Sequence, residues 1–176
     1  MLIVLLALSY PLIRGIGWFP INQLSGLAAT VSEERAESFD FRMRNEEMLL
    51  NKTNQRPLFG WGTWGRNRIY DSITGRDISV TDGRWIIVMS QFGWAGLLAE
   101  FGLLALPVFR SATMLRYTKS PREAIVLAAV SLILSISLLD LLPNNTMSPF
   151  TWLIAGALLA RTESIKFQHQ KKRLKS

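Results

Sequence analysis

Three arginines and one aspartate stand out among the side chains that could do chemistry. Arg42, Arg56 and Arg66 carry permanently charged, planar guanidinium groups, whose fixed donors match the geometry of phosphate. Asp82 precedes a long apolar stretch, where a carboxylate could take a proton from a hydroxyl group or simply cap the following helix. These groups suit the binding of a phosphate and the activation of a hydroxyl nucleophile.

A loop rich in glycine and tryptophan lies between two of these arginines. Residues 57–65 read Pro-Leu-Phe-Gly-Trp-Gly-Thr-Trp-Gly. The glycines would let the backbone approach a ligand closely, and a turn of successive N–H groups can bind an anion. The tryptophans could stack on a sugar, although anchoring in the headgroup layer is their commoner use at a membrane surface. The candidate substrate-binding residues are therefore Arg56, Gly60, Trp61, Gly62, Trp64 and Arg66.

The candidate residues lie in a polar insert between apolar stretches that are long enough to cross a bilayer. A transmembrane helix needs about 20 apolar residues, and the candidate spans are residues 1–19, 85–109, 124–142 and the shorter 147–160. Residues 22–84 hold nine basic and nine acidic side chains. The sequence therefore predicts an all-α integral membrane protein, a helical bundle of about four spans with a long insert outside the membrane.

The distribution of charge predicts which side of the membrane each segment faces. Residues 110–123 carry a net charge of +3 and residues 161–176 carry +5, whereas the insert is neutral. Short loops rich in lysine and arginine stay in the cytoplasm, and long loops are translocated largely regardless of charge. We expect a transmembrane segment at 1–19, an extracytoplasmic insert at 20–84, a transmembrane segment at 85–109, a cytoplasmic loop at 110–123, a transmembrane helical hairpin at 124–160 and a basic cytoplasmic tail at 161–176.

The insert is predicted to contain an amphipathic helix, the glycine loop and a short hairpin. Thr30 and Ser32 both offer N-cap oxygens for a helix over residues 33–52. Apolar side chains recur in this helix at spacings of three, four and seven, so they share one face. Two short β-type runs flank a Thr-Gly turn within residues 69–80, which predicts the hairpin.

Charged residues inside and beside the spans need partners. Glu100 lies in the middle of the second predicted span, and its candidate partners are Arg14 of the first span or a residue of a span outside this sequence. In the insert, Arg42 and Glu46 form an i,i+4 pair that would support the helix. A pathway formed by Glu100 and Arg14 would be the mark of a transporter fragment.

The composition excludes several other classes of protein. The chain has no cysteine, which removes disulfides, thiolate metal sites and cysteine nucleophiles, and its single histidine lies in the basic tail. The loop spells G-x-G-x-x-G but lacks the preceding strand and following helix of a dinucleotide fold. The basic tail directly follows a span, which favours anionic headgroups over nucleic acid. We therefore expect no metal, no cofactor and no nucleic-acid partner.

The candidate residues follow one another at spacings that resemble those of a known family. Fifteen residues separate Arg42 from Pro57, and eleven separate Asp82 from Gly93. The motifs read Pro-Leu-Phe-Gly-Trp-Gly at 57–62 and Gly-Trp-Ala-Gly at 93–96. Over residues 38–109 this pattern resembles the O-antigen ligase/polymerase superfamily of bacterial envelope proteins. The runs at 42–47 and 81–85 are similar to its exopolysaccharide-associated branch.

The resemblance implies a metal-independent glycosyltransferase in the bacterial inner membrane, and the charge distribution adds a cytoplasmic C-terminus. Such proteins take a glycan from an undecaprenyl diphosphate donor and pass it to a hydroxyl of an acceptor saccharide or lipid. Arg42 would hold the diphosphate and stabilise it as a leaving group, and Asp82 would be the catalytic base. Many members carry a histidine where Asp82 stands, and most have more spans than this chain.

These departures leave alternatives to an enzyme. One alternative is a non-catalytic membrane subunit, or a truncated remnant, that binds lipid-linked glycan. An upstream transmembrane half of a longer or split protein is then a further expected partner, beside the lipid bilayer. The other alternative is the transporter fragment.

Overall fold

In a computed structural model, which describes residues 1–118 and 120–174, the regular structure is helical. The helices are α1 (Leu2–Gly15), α2 (Ile21–Val31), α3 (Glu33–Thr53), α4 (Arg84–Met114), α5 (Pro121–Asp140) and α6 (Pro149–Arg173), with a 3₁₀ turn at Leu115–Tyr117. Within the described ranges, the predicted hairpin is reduced to one antiparallel bridge between Tyr70 and Asp77. The prediction of an all-α chain is confirmed. Lys119 of the predicted cytoplasmic loop, and Lys175 and Ser176 of the predicted tail, lie outside the described residues.

The chain divides into two compact units. One unit contains Met1–Leu8, Ala99–Leu142 and the chain from Thr146 onward, and the other contains Ser9–Leu98 with Pro143–Asn145. All the candidate residues of the insert belong to the second unit. In the first unit, α5 packs along α6, and both helices contact the 3₁₀ turn.

Among residues 1–118 and 120–174, two helical segments are long and apolar enough to cross a membrane. They are Arg84–Tyr117, which is α4 with the 3₁₀ turn, and α5. Only 39% of the most apolar window of the first segment and 22% of that of the second are buried within the chain, whereas a core helix of a soluble protein would be mostly buried. The two helices therefore indicate membrane association. With 14 residues, α1 is about 21 Å long by the helical rise, which is less than the hydrocarbon core of a bilayer.

The predicted amphipathic helix of the insert is confirmed as α3. Ser32 is its N-cap and accepts a hydrogen bond from the Arg35 N–H at 3.3 Å. The Thr30 hydroxyl donates instead to the Leu27 carbonyl of the preceding helix at 2.7 Å. Two glutamates in the first turn and a lysine in the last turn complement the helix dipole.

The helix α2 was not predicted from the sequence, although it packs against α3. Small and polar residues dominate it, so its sequence lacks the long apolar stripe that signals a helix. Together the two helices line a groove of about 460 Å³. Its polar lining includes Asn22, Ser25, Asp40, Arg44 and Glu47.

Candidate functional site

The structure brings Arg42 and Asp82 together, although they are forty residues apart in the sequence. The Nε of Arg42, on α3, lies 4.0 Å from Oδ2 of Asp82, just before α4. Both side chains are half-exposed, at 51% and 47%. An exposed ion pair of this kind stabilises a fold by only about 0–1 kcal/mol. An anionic ligand could therefore replace the carboxylate at the guanidinium at little cost to the fold.

The alternative role of Asp82 as a helix cap does not match the start of α4. The helix begins at Arg84, and the Gly83 carbonyl accepts the first bond, from the Ile87 N–H at 3.4 Å. The Arg84 N–H donates to the Asn144 carbonyl at 3.1 Å. Asp82 lies one residue before the cap position, and its contact is the guanidinium of Arg42.

The long apolar helix α4 is interrupted at Gly93, and the glycine loop fills the interruption. Gly93 has φ 64° and ψ −161°, which no helix residue adopts. The two amides that follow donate into the loop: Trp94 N–H to the Pro57 carbonyl at 2.8 Å, and Ala95 N–H to the Leu58 carbonyl at 3.1 Å. These groups would otherwise lack the partners that a continuous helix provides.

The same loop also satisfies the carbonyl groups on the other side of the break. Trp61 N–H donates to the Ser90 carbonyl at 3.0 Å, and Gly62 N–H donates to the Gln91 carbonyl at 2.8 Å. Gly60 lies between these two sets of bonds with φ +65°. Irregular backbone within an apolar helix is tolerated where other protein groups satisfy its hydrogen bonds, and here the loop does so.

This docking gives the loop glycines a structural role that the sequence alone did not indicate. The amides of Trp61 and Gly62 are engaged by α4, so an anion would have to displace these bonds or use other donors. Substrate binding by Gly60 and Gly62 therefore stays a prediction. The resemblance had treated the Pro-Leu-Phe-Gly-Trp-Gly run and the Gly-Trp-Ala-Gly run as two separate motifs. The structure shows that they are the two halves of one backbone junction.

Trp61 is held against the end of α3. Its indole N–H donates to the Lys52 carbonyl at 2.8 Å. The Arg56 guanidinium lies 4.4 Å and the Lys52 ammonium 5.2 Å from the ring centroid, distances at which cation–π attraction operates. A sugar could stack only on a part of the ring that these cations leave open. Arg56 itself is exposed, so its remaining donors face solvent.

Trp64 is the most exposed large apolar side chain of the loop. Its side chain is 94% exposed and its φ is 62°, a left-handed conformation that costs an ordinary residue about 1–2 kcal/mol. Backbone strain of this kind collects at ligand-binding positions. Next to it, Arg66 donates through Nε to the Thr63 carbonyl at 3.3 Å and lies against Gly62. Stacking or membrane anchoring by Trp64 thus stays a prediction, with an accessible ring available for either.

The candidate residues form separate groups along the second unit. Arg42 lies beside Asp82, whereas the contacts of Arg56 and Arg66 lie within or next to the loop. Between Arg42 and the last residue of α3, Thr53, the helix advances by about 16 Å. A ligand that touched both groups would have to be an extended one.

A buried charge network, which the sequence analysis missed, joins α1 to α3. Arg14 is only 3% exposed and donates to the Glu46 carboxylate at 3.3 Å, the Glu47 carboxylate at 2.7 Å and the Met43 carbonyl at 3.0 Å. The Tyr10 hydroxyl donates to the same Glu46 oxygen at 2.8 Å. Burial raises the pKa of Glu46, and the bonds from Tyr10 and Arg14 act in the opposite direction.

This network corrects two expected pairings. Arg14 pairs with Glu46 and Glu47, so the expected pairing with Glu100 is wrong. Arg42 pairs with Asp82, so the expected i,i+4 pair with Glu46 is wrong as well. An arginine in an apolar segment signals that a carboxylate partner exists, but only the fold shows which one.

The turn that follows the loop is organised by Asp71. Its Oδ1 accepts bonds from the Thr74 N–H at 2.6 Å, the Thr74 hydroxyl at 2.8 Å and the Ile73 N–H at 3.0 Å. These donors favour the charged carboxylate and lower its pKa, with the Thr74 N–H as the largest cause. Gly75 N–H closes the turn on the Asp71 carbonyl at 2.9 Å.

Acidification is therefore expected to loosen this turn. Because the pKa of Asp71 is lower in the folded chain, its contribution is complete above the ordinary aspartate value of about 3.9. The contribution is lost as the pH falls through the lowered value. Amide hydrogen exchange at Thr74, measured in wild type and in Asp71→Asn, tests this. As the pH is lowered, protection of the Thr74 amide should fall in the wild type but not in Asp71→Asn. Parallel loss of protection in the two chains would contradict the role of the Asp71 carboxylate.

A scan against protein-family models finds no match for this chain, and no curated protein or solved structure matches it either.

Proposed function

We propose that this chain is a membrane glycosyltransferase-like protein of polysaccharide polymerisation or ligation, of the O-antigen ligase/polymerase type. The proposed donor is a glycan on undecaprenyl diphosphate, and the acceptor is a hydroxyl group of a saccharide or lipid. The observation that carries the proposal is the meeting of Arg42 and Asp82 on an accessible surface at the start of the apolar helix α4. One group suits a phosphate and the other suits a hydroxyl.

In the proposed reaction, the acceptor oxygen attacks the anomeric carbon of the donor glycan. The new C–O bond forms as the bond between that carbon and the diphosphate oxygen breaks. Asp82 takes the proton of the acceptor hydroxyl, and the electron pair of the broken bond leaves with the diphosphate. Arg42 stabilises the charge that develops on this leaving group, a role suited to a fixed guanidinium.

The proposal includes a placement in the bacterial inner membrane. We propose four spans, with the insert outside the cell and the C-terminus in the cytoplasm. The apolar helices α4 and α5 and the neutral charge of the insert support this topology. Reporter fusions at Arg42 and Arg66 test it, since a cytosolic location for either residue would exclude access to an external donor.

Arg42→Ala and Asp82→Asn are each expected to reduce glycan transfer by about 100-fold or more, the usual effect of removing one group that stabilises charge in a transition state. The measurement is the size distribution of envelope polysaccharide in cells that carry each variant. Arg44→Ala is the matched control, because Arg44 lies on the same helix but lines the groove against α2. Unchanged polymer in either of the first two variants, at normal membrane levels of the chain, would contradict the assignment.

A second candidate function is a membrane subunit that binds lipid-linked glycan without turning it over. The exposure of Arg42 and Asp82 favours it, because a glycosyl transfer site has to exclude water, and each side chain is about half-exposed. In that case another chain would complete the cavity. Purified chain that binds the donor but never releases its diphosphate would identify the subunit.

A further inference from the structure

A groove of about 450 Å³ lies between α5 and α6, and its two ends differ in chemistry. One end is polar and carries Arg122, Glu123 and Arg161. The remainder is apolar and is formed by side chains such as Val126, Val130 and Leu158. From Glu123 to Val130 the helix advances by about 10 Å, so the apolar part extends well away from the charged end.

The charged end retains a net positive charge. Arg161 forms an ion pair with Glu123, and the glutamate side chain is the less exposed partner. Arg122 is exposed, and the acidic residue that lines the groove beside it, Glu123, pairs with Arg161. The end also lies at the N-terminus of α5, where Ser120 caps the helix and the dipole favours a negative group. The cavity, the two arginines and the helix terminus thus all favour an anion at this end.

The apolar part suits a hydrocarbon chain. Val126 is 56% exposed although it faces the groove, so the surface that it presents is uncovered by protein. Free phosphate could bind the two arginines but would leave the apolar surface of the groove uncovered. Basic pockets at the ends of transmembrane helices bind the headgroups of anionic lipids, whose acyl chains extend into the bilayer.

We propose that this groove binds an anionic phospholipid, with the phosphate at Arg122 and Arg161 and one acyl chain along Val126 and Leu158. The assignment rests on the membrane placement of α5 in the proposed function. In that topology the charged end of the groove faces the cytoplasm, so the lipid comes from the inner leaflet. The site is distinct from the residues proposed for glycan transfer, which lie in the other unit.

Lipid retention by the purified full chain tests the headgroup. The chain is washed in an uncharged detergent after incubation with equal amounts of phosphatidylglycerol and phosphatidylcholine, and retained lipid is measured by mass spectrometry. We expect preference for phosphatidylglycerol, and a fall of about fivefold in Arg122→Gln, the effect of one cation near an anionic headgroup. Arg116→Gln is the matched control, because Arg116 lies outside the groove, and it should retain lipid as the wild type does.

A second pair of variants tests the acyl chain. Ala157 lines the groove, so Ala157→Trp should fill it and lower the retention of both lipids, whereas Ala128→Trp, at an exposed position of α5 outside the groove, should not. Equal retention of the two lipids by the wild type would overturn the proposal, as would equal losses in Arg116→Gln and Arg122→Gln. If Ala157→Trp retained lipid as the wild type does, and inorganic phosphate displaced all of that lipid, the groove would be a simple anion site and the proposed acyl-chain contact would be wrong. Arg122 is exposed, so its variant gives a result even if the tryptophan variant does not fold.

The result is independent of glycan transfer. Arg42→Ala should retain phosphatidylglycerol as the wild type does, because Arg42 lies in the other unit. Loss of lipid selectivity in Arg122→Gln with normal polysaccharide would support the lipid site alone. Normal selectivity with no effect of Arg42→Ala on polysaccharide would remove the proposed function and leave the lipid site in place.

Discussion

Gly60→Ala is expected to detach the glycine loop from α4 and to lower the free energy of unfolding by about 3–4 kcal/mol. The loss has two causes, which are overpacking by the new Cβ and the left-handed backbone that alanine would have to adopt. A Cβ at this position would lie 2.6 Å from the carbonyl carbon and oxygen of Gln91 and 2.7 Å from the backbone nitrogen of Gly93. These neighbours are backbone atoms of a helix, so they cannot move aside as a flexible side chain would. The hydrogen bonds on both sides of the break should then be lost together.

The chain contains a matched control for this substitution. Gly75 has nearly the same φ, +67° against +65°, but a Cβ added there would meet no atom within 4 Å beyond its chain neighbours. Gly75→Ala should therefore cost only the left-handed conformation, about 1–2 kcal/mol. Denaturant unfolding in a mild detergent, followed by tryptophan fluorescence, compares the two variants. Equal losses of stability would mean that the close approach of the loop to α4 contributes nothing.

The loop junction also shows what the sequence could and could not predict. The apolar run at 85–109 predicted one continuous span, because hydropathy and helical periodicity do not register a single residue with a non-helical backbone. The break at Gly93 is visible only when its partners at Pro57 and Leu58 are in place. The glycines of the loop at 57–65 predict a close approach of the backbone to a ligand. In the structure they allow a close approach of the backbone to α4, so ligand binding stays a prediction.

Local signals were more successful where they did not depend on distant partners. The end of α3 at Thr53 and its start after Ser32 follow from a capping residue and an apolar stripe, both of which are encoded within the helix itself. The pairing of Arg42 with Asp82 depended on tertiary structure, because nothing in the spacing of the two residues fixes a 4.0 Å contact. The candidates were therefore predictable from residue type, whereas their arrangement was not.

Arg14→Met is expected to lower the free energy of unfolding by about 3–5 kcal/mol, the cost of leaving a buried charge without its partner. Methionine approximates the length of the arginine stem but cannot donate to Glu46, Glu47 or the Met43 carbonyl. Arg68→Met is the control, since Arg68 pairs with Asp77 on an exposed surface, where such a pair contributes about 0–1 kcal/mol. Comparable losses in the two variants would show that burial does not strengthen the Arg14 network.

The two glutamates should respond differently once Arg14 is removed. Glu47 is 51% exposed and can be solvated, whereas Glu46 is only 13% exposed, so its charged form would be left with little solvation. Burial already raises the pKa of Glu46, and loss of the guanidinium removes a group that opposes this rise. A protein that contains an acid whose folded pKa lies above its unfolded value loses stability as the pH rises through that interval.

The loss of unfolding free energy in Arg14→Met should therefore be larger at pH 8 than at pH 5. The double variant Arg14→Met/Glu46→Gln should recover much of that loss at pH 8, because a neutral amide can still accept the Tyr10 hydroxyl bond. A deficit that does not change with pH, or a double variant no more stable than Arg14→Met, would place the cost in lost packing around the arginine stem instead of in the unpaired carboxylate.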